Sequence, residues 1–445
     1  MADVRPKLQP SREAEGIVRI VLTADNYLSA SLPRLSPTRL AERRERLQRA
    51  LLAAVDGAIA RRAHLFLHVG DLFDTVEPRN RDRAFVARQL ARLRAAGIRS
   101  YAVSGNHDTP RQRATLGGIA PQAVYSQLDG WHYFAGQHAL RPVGIEIAGV
   151  RLALAGLSTD PTAPPGADPL HNLATHDPDG LLSGSAVGVL LLHAAVEGYC
   201  FPSEVESMVR RNSLAALDGI HVVLTGHVHA YTCATVGGKS VVVCGATENM
   251  EFGHAEGAPG YAYLELTRVG LRHAEHVPVV PQPRHLVAVR TTDLWPDMSS
   301  GTDEDNATGQ LADAGAQECV PVDPTDAIIA RLSPLCSRDA QVRLSLEGPI
   351  TRDQYHALDL RRLWMYGHQR AFSFEIDESG LALVLDRITG VVSRGERIAP
   401  RAMLERVFRE RLDGVESLEA RDLLLRTRDR VLEGYDELVG VEESA

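Results

Sequence analysis

Lysine is almost missing from this chain. Of its 48 basic residues, only Lys7 and Lys239 are lysines, and the rest are arginines. The bias runs through segments such as "RLAERRERLQRA" and "RNRDRAFVARQLARLR", outside their apolar stripes, so it reads as coding composition and solvated helix faces. The net charge of −9 argues against a stand-alone protein that coats nucleic acid without specificity. Long apolar runs are lacking too. "VGVLLLHAAV" is among the longest and falls far short of the ~20 residues that cross a bilayer, so no membrane association is expected. The opening "MADVRPKLQPSREAEG" holds no apolar core of a secretory signal. The five cysteines (Cys200, Cys233, Cys244, Cys319 and Cys336) are odd in number and form no CxxC pair. Reduced thiols, and hence a cytoplasmic setting, are expected.

What the chain does have is a repeated pattern of apolar strand followed by polar loop. With 445 residues and 44% hydrophobic content there is room for two or three domains. From residue 17 to about 279 the strands read "GIVRIVLTA", "HLFLHV", "IRSYAVS", "GIEIAGVRLALAGL", "GVLLLH", "IHVVLT", "KSVVVCG" and "GYAYLEL". Two gaps carry amphipathic helices, about 38–62 and 79–97; the first has Leu40, Leu47, Leu51, Leu52, Val55 and Ile59 at helical spacing. Strands that alternate with helices and later join more directly predict a mixed α/β sandwich. Residues 1–16 read as a tail and 17–279 as the main domain. Residues 280–325, acidic and aperiodic from 297, read as a linker or disordered insertion. Residues 326–445 read as an accessory α+β domain that ends in two helices.

Residues of metal-binding type sit at the ends of five of these strands. Asp25 ends the first, Asp71 follows the second in "HVGDLFD", and Asn106, His107 and Asp108 follow the third in "SGNHD". "LLLHA" supplies His193, and "LTGHVH" supplies His227 and His229. Loops at the carboxyl ends of strands in an open α/β sheet converge on one edge, so residues distant in sequence can meet there. Carboxylate, amide and imidazole donors suit paired divalent cations, Mn²⁺ first and then Mg²⁺, Fe or Zn²⁺. Two ions about 3.5–4 Å apart require a bridging carboxylate, for which Asp71 is the candidate. His107 follows an amide ligand and faces away from it, as a proton donor would. His68 alternates to the opposite face from Asp71 and reads as a core or supporting residue. Asp74 reads equally as a ligand or as a loop carboxylate.

In this order the motifs resemble the calcineurin-like metallophosphoesterases. The wording "HVGDLFDT", "SGNHD", "LLLHAAVEGY", "LTGHVHAY" and "CGATENMEFG" is similar to the DNA repair exonuclease branch, the SbcD- and YhaO-like nuclease subunits. The resemblance covers residues 17–267. It implies an α/β/β/α sandwich of two mixed sheets and a two-metal hydrolase acting on phosphodiester bonds. Asp25, Asp71 and His229 would hold one metal, and Asp71, Asn106, His193 and His227 the other. His107 would protonate the leaving oxygen. DNA, an SMC-like ATPase subunit and a second copy of the chain are the partners it implies.

Tyr27 departs from the family pattern, which has histidine there as a ligand of the first metal. A phenol, with a reference pKa near 10, is a poor ligand for Mn²⁺ or Mg²⁺, so a weakened first metal site is expected. The leading expectation is a DNA repair exonuclease. The alternatives are a catalytically impaired subunit that binds DNA ends for the ATPase, and a phosphoesterase acting on a small phosphoester.

Overall fold

The computed structural model describes residues 16–384 apart from 33, 112–117, 185, 200–206, 251, 253–256 and 296–322, together with 405, 407–409, 411–412 and 421–432. The tail expected before residue 16 lies outside these residues, as do most of the acidic insertion and most of the helix expected at 400–413. Strand β1 (Val18–Thr23) leads to helix α1 (Pro37–Ala60), β2 (Leu65–Val69) to α2 (Asn80–Ala95), and β3 (Arg99–Val103) to β4 (Trp131–Tyr133). Next come β5 (Ala139–Leu140), β6 (Val143–Ile147), β7 (Val150–Leu157), β8 (Ala174–Thr175) and β9 (Val187–His193). Then follow β10 (Ala195–Val196), β11 (Met208–Val209), β12 (Ile220–Gly226), β13 (Thr232–Val236) and β14 (Lys239–Val243). Two long strands, β15 (Gly260–Thr267) and β16 (Gly270–Pro278), close this part.

Two six-stranded sheets result, in the orders β16-β15-β1-β2-β3-β4 and β13-β14-β12-β9-β7-β6. Both are mixed. In the first, β1 to β4 run parallel, β15 runs antiparallel to β1, and β16 runs antiparallel to β15. In the second, β14, β12, β9 and β7 run parallel, with antiparallel edges. Period-two alternation makes this a sandwich. Val18, Ile20 and Leu22 of β1 face the layer between the sheets, where they meet Leu154, Leu191 and Leu224. Val21 faces outward onto Leu47 and Leu51 of α1. Helix α1 starts where the Ser36 hydroxyl accepts from the Arg39 amide at 3.4 Å, with Pro37 in the first turn. The outer face of the second sheet is covered, among the described residues, by loops, short strands and the one-turn helix Arg211–Ala215.

Some elements differ from their sequence expectation. "GIEIAGVRLALAGL" is a hairpin, because Ala148 and Gly149 both adopt positive φ (49° and 75°), the conformation of a tight two-residue turn. Residues 1–382 form one compact unit and 383–445 another, in which a helix spans 421–432. The first unit includes a third sheet, β17-β18-β19. Its strand β17 (Arg284–Arg290) falls within the stretch read as linker and pairs in parallel with β18 (Gln341–Thr351). Strand β19 (Ser373–Val384) completes this sheet.

A buried ion pair joins this third sheet to the sandwich. Arg43 of α1 lies 3.0 Å from Glu248, and both side chains are almost wholly buried. Arg43 also donates to Gln282 Oε1 at 3.0 Å, and Gln282 donates to the Asp339 carbonyl at 3.0 Å. Removing one member strands the other charge, so Arg43→Ala should destabilise the full chain by about 3–5 kcal/mol in denaturant unfolding. The double variant Arg43→Ala/Glu248→Ala should lose less than the sum of the single losses. Additive losses would show that the pair is not coupled.

Candidate metal centre

The carboxyl ends of β1, β2, β9 and β12 meet at one edge of the sandwich, and each delivers a polar side chain there. Asp25 and Asp71 follow β1 and β2, His193 ends β9, and His227 follows β12. The segment after β1 is not extended. Asp25, Tyr27 and Ser29 have positive φ (49°, 50° and 67°), as do Asp71 (53°) and His227 (81°). The strain has a local compensation. The amides of Asp25, Asn26, Tyr27 and Leu28 donate to the Gly70, Asp71 and Leu72 carbonyls, which lock the two loops together. Glycine is required beneath them. Gly70 has φ 93°, and a Cβ there would collide with the His193 ring; a Cβ on Gly105 would collide with the Asp71 carboxylate.

Among the described residues, the one group of three or more His, Cys, Asp or Glu with ligand atoms close together is Asp25, Asp71 and His193, within 4.8 Å and all buried. His193 Nδ1 donates to the Val69 carbonyl at 2.8 Å, which turns Nε2 toward the cluster. Nε2 lies 3.2 Å from Asp71 Oδ2, 3.1 Å from Asn106 Oδ1 and 3.9 Å from Asp25 Oδ1. His227 Nδ1 lies 3.1 Å from the same Asn106 oxygen. A carboxylate oxygen, an amide oxygen and two imidazole nitrogens thus converge, a set of electron-pair donors that can be reconciled only by a proton or a metal cation between them. The residues Asp71, Asn106, His193 and His227 fit a divalent ion.

His229 and His107 gather around Tyr27, which lies next to Asp25. The Tyr27 hydroxyl lies 2.8 Å from His229 Nε2 and 3.3 Å from Asp25 Oδ1. Burial, with help from Asp25 and Asp71, holds this phenol well above its ordinary pKa, so it is protonated. The Tyr27 ring meets the His107 ring edge-on at 5.1 Å. The His107 amide donates to Asp71 Oδ1 at 3.0 Å, and its half-exposed ring pairs through Nδ1 with Asp74 at 2.9 Å. Asp74 is therefore the partner of His107. The residue types alone had left it open as a ligand or a loop carboxylate. His68 sits beneath the site, 2.7 Å from Asn26 Oδ1, and burial lowers its pKa to about 3, so it is neutral.

Asp108 has a role that its sequence position did not reveal. Wholly buried, it accepts from the Gly105 and Phe73 amides at 2.8 and 3.2 Å and from Gln122, tying the Asn106–His107 loop to the Asp71 loop. Its place in "GNHD" was the one signal available.

Residues 18–231 match the model of the calcineurin-like phosphoesterase family. This region belongs to that family. The chain is also similar to the DNA double-strand break repair protein Mre11 of Saccharolobus solfataricus, with 24% identity over 60% of this chain and 66% of that protein. The Mre11 protein of Sulfurisphaera tokodaii is 35% identical over 17% of this chain and 19% of its own length. The matches therefore span less than two-thirds of these relatives. A dimetal phosphatase from Danio rerio superposes at a TM-score of 0.35, with 13% identity over 59% of this chain and 99% of that one. No helix among the described residues is long and apolar enough to cross a membrane.

Without a cation, the cluster must be neutralised by protons. Burial pulls the His193 imidazole down, but Asp71, Asp25 and the Val69 carbonyl together raise it to about 10. Burial pushes Asp25 up to about 7 against the pull of His193. Burial also acts to raise Asp71, yet His193 and the His107 amide hold it at about 2. The signs differ. Raised His193 adds stability below its unfolded value and loses it as pH climbs toward 10. Lowered Asp71 adds stability above its unfolded value, lost as pH falls toward 2. Raised Asp25 costs stability increasingly as pH rises toward 7. A divalent ion entering at pH 7 must displace the His193 proton, so uptake should release about one proton or more. Calorimetry of Mn²⁺ binding in two buffers of different ionisation enthalpy measures this. Equal heats in both buffers would mean that the imidazole is already neutral.

Proposed function

We propose that this chain is a metal-dependent phosphodiesterase acting on DNA, a repair exonuclease that uses Mn²⁺. The observation that carries the reading is the gathering of Asp71, His193, Asn106 and His227, each within 3.2 Å of the next, beside a half-exposed histidine. The similarity to proteins named for DNA double-strand break repair supports DNA as the substrate. The likeness of the motifs to nuclease subunits supports an SMC-like ATPase as a partner.

In this reading, Asp71, Asn106, His193 and His227 hold the ion. When bound, it supplies a Lewis acid for the phosphoryl oxygens and a water acidic enough to attack at neutral pH. The chain's own residues do the rest. His107 carries the proton destined for the leaving oxygen. Asp74 accepts from Nδ1 at 2.9 Å, which fixes the ring and turns Nε2 outward. That hydrogen bond raises the His107 pKa above its ordinary value against the opposing effect of burial. The His107 amide holds Asp71 Oδ1, so the loop that carries the proton donor also orients the ligand carboxylate.

His107→Gln should keep metal content and fold but lower DNA hydrolysis in Mn²⁺ by ~10²-fold or more. The loss should shrink for a nitrophenyl phosphodiester, whose leaving group needs little protonation. Equal loss on both substrates would remove His107 from the role of acid. The second reading, a subunit that binds DNA ends without cutting them, draws on the Tyr27 contacts with Asp25 and His229. Wild type that binds DNA and Mn²⁺ but hydrolyses neither substrate would decide for it.

The pH profile supplies a separate test. A protonated His107 donor gives activity that falls as pH rises through its pKa. Asp74→Asn removes the hydrogen bond that raises this pKa, so the basic limb should move to lower pH. A limb that stays in place would assign it to another group.

A further inference from the structure

We infer that the first of the two ion positions implied by the family is closed by the Tyr27 hydroxyl, so that this centre holds a single divalent ion. The inference rests on the phosphodiesterase reading and narrows it. A weak first site would be an open position short of one ligand, and that is not what the side chains form. The Tyr27 oxygen lies between the two groups that would face an ion there, 2.8 Å from His229 Nε2 and 3.3 Å from Asp25 Oδ1. Asp25 can only accept as a carboxylate, so the phenol donates to it and accepts from His229 Nε2–H. The hydroxyl thereby occupies the space between Asp25 Oδ1 and His229 Nε2, the two atoms that would face an ion there.

The plug is held from several sides. Tyr27 is 5% exposed, and its amide donates to the Asp71 carbonyl at 3.2 Å. Its ring lies edge-on to His107 at 5.1 Å and to His229 at 5.6 Å, so it cannot swing away without moving both. The other Asp25 oxygen accepts from the His227 amide at 3.0 Å, so both carboxylate oxygens already have donors. The residues of the first position do not fit an ion, while those of the second do.

The two accounts differ for a variant that removes the ring without adding a ligand. We would titrate the full chain with Mn²⁺ alone, using calorimetry for stoichiometry and electron paramagnetic resonance for coupling between ions. Wild type should stop at one ion with an uncoupled spectrum, even at saturating Mn²⁺. Tyr27→Ala should rise from one ion to two, and Tyr27→His should bind the second ion more tightly than Tyr27→Ala. A coupled pair in wild type, or Tyr27→Ala that stops at one, would overturn the inference and leave the phosphodiesterase reading standing. Wild type that binds no Mn²⁺ would overturn both. Because wild type alone is decisive, a variant that fails to fold does not spoil the test.

Discussion

Two carboxylates with no exposed surface, Asp25 and Asp71, lie within reach of each other at the edge of the sandwich. Burying one ionised carboxylate costs several kcal/mol unless a partner compensates it, and two adjacent ones repel as well. The local structure is arranged around this constraint. The His227 and His107 amides each donate to one of the carboxylates, and His193 places a ring nitrogen between them. The neutral His68 beneath them adds no charge, and its tie to Asn26 braces the loop from below.

Backbone donors can reach those carboxylates only because the loops leave ordinary backbone space. Asp25, Asp71 and His227 each take a positive φ, which costs a non-glycine residue of order 1–3 kcal/mol. Such strain persists where the surroundings are rigid. Here they are two sheets packed face to face, with Leu22, Leu67, Leu191 and Leu224 wholly buried between them. The parallel core strands of both sheets end at this edge, so the sandwich holds the strained loops against each other. The Arg43–Glu248 pair extends that rigidity outward, since Glu248 follows the second sheet and Gln282 opens the third.

The expected α/β sandwich and the five strand ends that carry the site were legible because each depends on local pattern. Apolar alternation fixes which face of β1 enters the core, and a polar residue just past a strand must lie at the sheet edge. The misread elements depend on contacts that pattern does not encode. Ala148 gives no turn signal of its own, and the hairpin rests on its positive φ. β17 is a strand because β18 pairs with it from 57 residues away, as in Arg284 with Gln341, which a Pro-punctuated stretch does not announce. At the site, residue types suggested which side chains attract a cation. They could not show that Asp74 turns to His107 or that Asp108 ties two loops together, because both choices are made by geometry. For Tyr27 the family pattern suggested a missing ligand, yet the hydroxyl's contact with His229 joins residues 202 positions apart.

That contact explains how the fold tolerates a tyrosine where an ion would otherwise help to neutralise Asp25. Removing a cation from beside a buried carboxylate should leave the charge uncompensated, and the carboxylate would then protonate or the loop would open. The phenol supplies part of what the cation supplied, a donor aimed at Asp25 Oδ1, and it also satisfies His229. It cannot supply a second positive charge. Asp25 accordingly sits near pKa 7 while Asp71, closer to His193, stays near 2. The two carboxylates are thus not equivalent. Asp71 lies 3.2 Å from His193, whereas Asp25 takes hydrogen bonds from the Tyr27 hydroxyl and the His227 amide. A centre of this kind concentrates its demand for positive charge on one position, because His193 lies closer to Asp71 than to Asp25 and the Tyr27 hydroxyl engages Asp25.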